Sequence, residues 1–341
     1  MRKIPRRFLP YRRATQIAFF ILFVTAPLLN LFRLDADAAQ FYILGMKWSI
    51  GIDALAAKEI SATQLALQFV SRVFLPVLTL IFCAIFFFMH YGRVFCGWLC
   101  PHFSLVELLN HLLLKAYGKL SIWDKQKTYR TNLTTSPVYW FFFIFSAVIL
   151  AFVWTITILA YIFEPYTIWR EALTFSLSFK KTLFLCAVWP VLTLELIFAR
   201  HLFCRFGCAF GFFQSLFWMM NPRAMVVEFK RDFAKDCKDC ESAEIPQGSA
   251  CDNVCPMRLH PRNIKRMMFA CTQCGECLTA CDSASGKCRA QPMLSWVIGD
   301  DAVLETLRQK KFEDSQNSQK NSALTVENRE NPRSTQKNFE I

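Results

Sequence analysis

Four stretches of this chain carry almost no charge: Ala14–Phe32, Val73–Tyr91, Val138–Phe163 and Thr182–Ala199, with Glu195 the one acid among them. Each has 18 or more residues, close to the roughly 20 that a helix needs to cross about 30 Å of hydrocarbon. Lipid offers no partner to backbone N–H and C=O groups, so each run is expected to be a transmembrane helix. Pro27, Pro76 and Pro190 lie inside three of the runs, and membrane helices tolerate proline. The apolar share, 54% with 35 Phe, exceeds the roughly 45–50% of a soluble domain.

The formal charge of +13 reads as membrane orientation, not as nucleic-acid binding. Arg2, Lys3, Arg6, Arg7, Arg12 and Arg13 precede the first run. Arg93, Lys115, Lys119, Lys125, Lys127 and Arg130 lie between the second and third. The intervening loops carry acids such as Asp35, Asp53, Glu59, Glu164 and Glu171. Lys and Arg mark the cytoplasmic side, so both termini are expected there, with the chain crossing the bacterial inner membrane four times. No basic helix or aromatic-interleaved motif points to nucleic acid.

The expected fold class is therefore an α-helical membrane protein. A basic head (1–13) leads to a four-helix transmembrane domain (14–220). A polar, cysteine-rich region (221–298) and a polar, disordered tail (299–341) follow. The first run is read as a retained helix, although its basic start and "ADAAQ" resemble a cleaved leader. Between the second and third runs, Leu105, Leu108, Leu109, Leu112 and Leu113 recur at helical spacing and predict an amphipathic helix.

Fifteen cysteines carry the chemistry. "CTQCGECLTACD" places Cys271, Cys274, Cys277 and Cys281 in the C-x2-C-x2-C-x3-C spacing of bacterial ferredoxins. Three thiolates two residues apart can wrap one iron–sulfur cube from a single loop, while the fourth ligates the other cube. Upstream, "CKDC" (Cys237, Cys240) and "CDNVCP" (Cys251, Cys255) supply the matching half, stretched by an insertion. The cross-over then gives Cys237, Cys240, Cys251 and Cys281 to one [4Fe–4S] cluster. Cys255, Cys271, Cys274 and Cys277 go to a second, so residues 221–298 are expected to form a cytoplasmic two-cluster ferredoxin-like domain. Zinc prefers two separated pairs, and cytoplasmic disulfides are disfavoured. Cys83, Cys186 and Cys288 are read as bystanders.

Two further pairs, "CGWLC" (Cys96, Cys100) and "CRFGC" (Cys204, Cys208), end the second and fourth runs. Both runs head inward, so both pairs reach the cytoplasmic face. They are expected to form one redox-active thiol centre that binds copper or exchanges electrons with it, because a soft cation suits thiolates at a membrane boundary. A third cluster or disulfides remain open alternatives. Glu195, inside the fourth run, is expected to pair with Arg200 or to serve proton or quinone chemistry. His102 and His111 are read as surface residues.

"RVFCGWLCPH", "CRFGCAFGFFQS" and "CDNVCP…FACTQCGECLTACD" together resemble membrane polyferredoxins, most closely the CcoG (RdxA/FixG) group, with NapH/MauN and NosR types as wider relatives. The likeness covers roughly residues 1–295. It implies two cytoplasmic [4Fe–4S] clusters, one-electron transfer, and a cytoplasmic electron donor. For the CcoG group it implies reduction of Cu(II) to Cu(I), with copper-transport or cbb-type oxidase assembly proteins as partners. Three features depart from that pattern: Ala209 follows Cys208 where the family has proline, the half-motif is stretched, and a polar tail stands where CcoG proteins continue into an immunoglobulin-like domain. These move the chain toward short NapH/MauN-like forms, which would be quinol-linked carriers for a periplasmic reductase. A scaffold with structural clusters is the third reading.

Overall fold

The computed structural model describes residues 11–36, 40–48, 61–119, 121–123, 135–231, 249–263, 265–287, 292–311, 314–315 and 318. Cys237, Cys240, Cys288 and most of the polar tail lie outside them.

The first apolar run becomes helix α1 (Arg12–Thr25), shorter than its sequence predicts. The chain turns at Ala26–Asn30, where Asn30 takes a left-handed φ of 51°. Pro27 has no N–H with which to extend the helix. Phe32, expected as the end of a membrane helix, instead starts strand β1 (Phe32–Asp35). It pairs antiparallel with β2 (Gln40–Ile43), and β2 with β3 (Met46–Trp48). Leu44 and Gly45, both at positive φ, make the tight turn between β2 and β3. This sheet lies in the loop between the first and second apolar runs.

The second run extends further upstream than its uncharged core. Helix α2 (Thr63–Tyr91) is long and apolar enough to cross a membrane. Ser61 and Gln64 form a capping box at its start, satisfying end N–H groups. A π-helical turn over Val70–Phe74 precedes Pro76. The wider turn absorbs the hydrogen bond that proline cannot make. Short helix α3 (Val94–Trp98) and amphipathic helix α4 (Pro101–Tyr117) follow. Leu105, Leu109 and Leu113 of α4 are buried, as their spacing predicts, against Phe143, Ala147 and Ala151 of α5 (Val138–Ile162).

Helix α5 is the second span of membrane length, and Phe179–Met220 is the third. The latter is not one regular helix. It runs as α7 (Phe179–Leu194), opens into π-helical turns at Glu195–Ala199 and Phe203–Gly207, and resumes as α8 (Ala209–Met220). Among the described residues three helices meet the membrane criterion, against four runs in the sequence. Helix α1 lies beside them, with Tyr161 Oη donating to the Phe23 carbonyl at 2.9 Å. Helix α6 (Pro165–Leu173) lies between the last two runs.

The bundle has two distinct ends. At one, the Ala36 N–H bonds the Ile162 carbonyl at 2.8 Å and brings the three-stranded sheet to the end of α5. At the other, Ser136 N–H bonds the Lys115 carbonyl at 3.1 Å. There the cysteine-rich domain packs: β4 (Val226–Phe229) pairs with β5 (Leu294–Val297), and helices α9 (Ala250–Asn253) and α10 (Glu276–Lys287) flank the cysteine loops. Arg12 ties the ends of three elements together. It is 3% exposed, donates to the Gly97 carbonyl at 3.2 Å and to Glu107 at 2.8 Å, and pairs with Glu276.

The tail does not begin as disordered chain. Residues 300–311 form helix α11, with Ala302, Glu305 and Gln309 buried. Its composition is polar, but its buried polar groups have partners. Glu305 meets Arg231 at 3.2 Å, and Gln309 accepts from the Lys265 N–H at 3.2 Å.

Candidate iron–sulfur and thiol site

Cys255, Cys271, Cys274 and Cys277 line one cavity, together with Thr272, Gln273 and Trp296. This is the set that the cross-over spacing gives to the second cluster. The loop between Cys271 and Cys277 wraps the cavity because Gln273 and Gly275 take left-handed φ values of 53° and 81°. Gly275 adopts that region without steric cost. Burial pushes Cys255 up to about 11 and Cys271 and Cys274 up to about 12. Cys277 is pushed well above the ordinary thiol value, again by burial first and by its neighbouring thiols second.

Burial disfavours the charged form of all four thiols, and Arg12 beside Cys274 and Arg93 near Cys271 oppose it only in part. A cationic cluster offsets the desolvation of the thiolates. The cavity fits such a group in a second way. Thr272 is 1% exposed and lines it, and its hydroxyl has no hydrogen-bond partner in the protein. A cluster sulfur would accept from it. Among the described residues, no three His, Cys, Asp or Glu side chains converge closely enough for a single ion. In a [4Fe–4S] cluster each thiolate binds a different iron, so its four ligands stand around a shared cavity as these four cysteines do.

Of the other set, Cys251 on α9 and Cys281 on α10 share an apolar cluster with Leu278 and Trp296. Cys281 Sγ accepts from the Met293 N–H at 3.3 Å.

The membrane-end cysteines also come together. Cys96 sits on α3, Cys100 caps α4, Cys204 lies in the second π-helical turn, and Cys208 caps α8. Each stands within electrostatic reach of at least two of the others. Burial raises Cys96 and pushes Cys100 up to about 11. Cys96 Sγ donates to Gln214 Oε1 at 3.1 Å, and Gln214 is itself fully buried.

This thiol group abuts the ferredoxin loop. Cys204 and Cys274 belong to one buried core, with Cys100, Cys255 and Cys271 packed against it. Gly97 marks the closest approach. A Cβ built there would lie 2.3 Å from the Thr272 carbonyl oxygen and 3.1 Å from Cys274 Cα. Both obstacles are backbone, so Gly97→Ala must displace the cluster loop. Overpacking of this kind costs about 1–3 kcal/mol. We expect Gly97→Ala to lower the iron content and the thermal midpoint together. Normal iron at an unchanged midpoint would show that the two segments do not touch.

Two residues here were not legible as site residues. Arg93 counted only as a positive-inside charge, yet it is 2% exposed, donates to the Cys204 carbonyl at 2.7 Å, and opposes the burial of Cys96. His102 is not a surface residue: its Nδ1 is 3.5 Å from Cys204 Sγ and its Nε2 is 3.1 Å from Glu195 Oε2. Glu195 thus meets His102, while Arg200 Nε donates to Asn110 at 3.1 Å. Only the position of Glu195 inside an apolar run hinted at this chain of groups.

A family model described as a 4Fe-4S binding domain matches residues 72–119. The stretch holds Cys96 and Cys100 and none of the ferredoxin cysteines. Over 201 residues the chain is 27% identical to the "Putative electron transport protein YccM" of Escherichia coli, covering 57% of this chain and 50% of that protein. It is 26% identical over 210 residues to the uncharacterized protein MJ0749 of Methanocaldococcus jannaschii, covering 62% and 69%. The uncharacterized protein MJ0750 of the same organism is 25% identical over 194 residues, covering 56% and 69%. The chain thus spans half the length of the first of these relatives. No solved structure matches it. Among the described residues the fold is mostly helical, with three helices of membrane length, and the chain carries a 4Fe–4S domain.

Proposed function

We propose that this protein is a membrane-bound iron–sulfur electron carrier that brings single electrons to the four-thiol group formed by Cys96, Cys100, Cys204 and Cys208. One observation carries the reading: the Cys96–Cys100 segment packs directly on the loop of Cys271, Cys274 and Cys277, at Gly97. Clusters held by Cys255, Cys271, Cys274 and Cys277, and by Cys237, Cys240, Cys251 and Cys281, would supply one-electron storage. The protein's own contribution is to bury these thiols, exclude water and hold the two groups in contact. A relative named as an electron transport protein supports the class of activity.

The substrate we assign to the thiol group is copper. Thiolates are soft ligands that favour Cu(I) over Cu(II), and Cu(II) becomes Cu(I) by gaining the one electron that a reduced cluster gives up. Copper-transport or oxidase-assembly proteins are the corresponding partners. Reduced protein mixed with Cu(II) should yield Cu(I), read as its bicinchoninate complex. A yield no greater than that of iron-stripped protein overturns the assignment.

A second reading has its own support. The 4Fe-4S family model covers Cys96 and Cys100, which favours a third cluster on the same four thiols. About four further irons per chain would establish it.

The orientation follows from the Lys and Arg distribution. Gln40 in β2 and Thr174 after α6 belong to the end of the bundle away from the thiols, and both should be extracytoplasmic. Single cysteines introduced at these positions should react with an impermeant maleimide in intact cells. Reaction of the ferredoxin region instead would reverse the topology.

A further inference from the structure

A cavity of about 420 Å³ lies between α1, α4, α5 and the cysteine-rich domain, within the roughly 300–1,000 Å³ of small-molecule sites. Its two ends differ in chemistry. One is apolar, lined by Ile17, Phe20, Leu108 and Leu150. Ile17 is 61% and Leu108 45% exposed, so this end is open at the side of the bundle. Leu150 stands at the middle of the 25-residue α5, so the opening reaches mid-span depth. The other end is polar and carries four charged side chains, Arg12, Arg13, Glu107 and Glu276. Arg13, Ile17 and Phe20 share one face of α1 at helical spacing. Charge gives way to hydrocarbon along that face over about 10 Å, at 1.5 Å per residue.

The four charges sum to zero but do not cancel in place. Arg12 pairs with Glu107 at 2.8 Å and also with Glu276. One guanidinium between two carboxylates leaves one negative charge over. Arg13 is exposed and makes no ion pair among the described residues, which leaves one positive charge over. His111 lines the same end and is neutral in the formal count. We infer that this cavity seats one zwitterionic phospholipid with a primary-amine head group. Its acyl chain would lie along Ile17, Phe20 and Leu150, its phosphate toward Arg13, and its ammonium toward Glu107 and Glu276. A surplus cation and a surplus anion in one wall are the complement of such a head. Exposure decides which groups receive it. The Arg12 side chain is 4% exposed and already held by carboxylates, whereas Glu107 keeps 19% and Glu276 26%. Their oxygens can accept charge-assisted hydrogen bonds from an ammonium. A choline head has no N–H to give, and an anionic glycerol head brings no cation to the surplus carboxylate. Val254 and Pro256 also line the cavity, so the lipid would touch α1, α4 and the cysteine-rich domain together and hold that domain to the bundle. The inference goes beyond the electron-carrier reading and does not rest on it.

The test is native mass spectrometry of the full-length protein, delipidated in detergent and titrated with dioctanoyl phosphatidylethanolamine. We expect one saturable lipid per chain, held at least about tenfold more tightly than phosphatidylcholine or phosphatidylglycerol of the same chain length. Arg13→Gln removes the surplus positive charge, and Leu108→Trp fills the apolar mouth. Each should weaken binding about tenfold. Both side chains are exposed, so the core is left intact. If one variant does not fold, the other decides together with the lipid series on the unaltered chain. Glycerophosphoethanolamine, the same head without chains, should compete only weakly. Equal retention of the three lipids would mark ordinary contact with the surrounding bilayer and overturn the assignment. Absence of saturable binding, full-strength binding of the chainless head, or unchanged binding in either folded variant would overturn it as well.

Discussion

Replacing Cys274 with Ser should lower the iron content of anaerobically purified protein from about eight atoms per chain to about four. Cys274 is 9% exposed and faces the cavity shared with Cys255, Cys271 and Cys277. A serine there offers an oxygen of far higher pKa in the same dry wall, so the site loses one of four ligands with no water to replace it. The remaining iron belongs to the set that includes Cys251 and Cys281, which pack with Leu278 and Leu294. The brown colour should fade to about half and not vanish. Full iron retention would remove Cys274 from the ligand set. Complete loss would mean that the two clusters assemble as one unit.

The second large effect concerns the membrane-end thiols. With Cys96 and Cys100 both changed to Ser, the protein should keep its eight irons, since the ferredoxin cysteines are untouched. It should lose Cu(II) reduction by at least about tenfold and bind correspondingly less Cu(I). The two thiols contribute half of the group, and both are buried deeply enough that burial raises their pKa. Copper reduction at the unaltered rate would show that these thiols are not the acceptor. Loss of about four irons from an initial total of about twelve would show that they hold a third cluster.

What the sequence made legible was local and periodic. The spacing of Cys271, Cys274 and Cys277 places these three in one loop, and they line one cavity with Cys255. The leucine repeat gave the buried face of α4, and hydropathy gave the long helices. What stayed hidden was tertiary. Arg12 and Arg93 look like solvated positive-inside charges, and only packing shows each to be less than 4% exposed among carboxylates or thiols. The contact of His102 with Glu195 spans 93 positions, and no pattern in one chain records it. The first run misled because uninterrupted apolarity conceals where Pro27 ends the helix. The sheet that follows is too short for its alternation to stand out. The polar tail misled because composition does not show that Glu305 and Gln309 have partners in the folded domain.

The most direct test of the central claim, that these buried thiols hold redox-active iron–sulfur clusters, is an anaerobic redox titration followed by electron paramagnetic resonance, with iron and zinc measured on the same sample. The account predicts about eight irons per chain. It also predicts a brown protein that bleaches with dithionite, with paramagnetic cluster signals that appear on reduction and disappear on reoxidation. Protein carrying stoichiometric zinc, little iron and no reducible signal would contradict it.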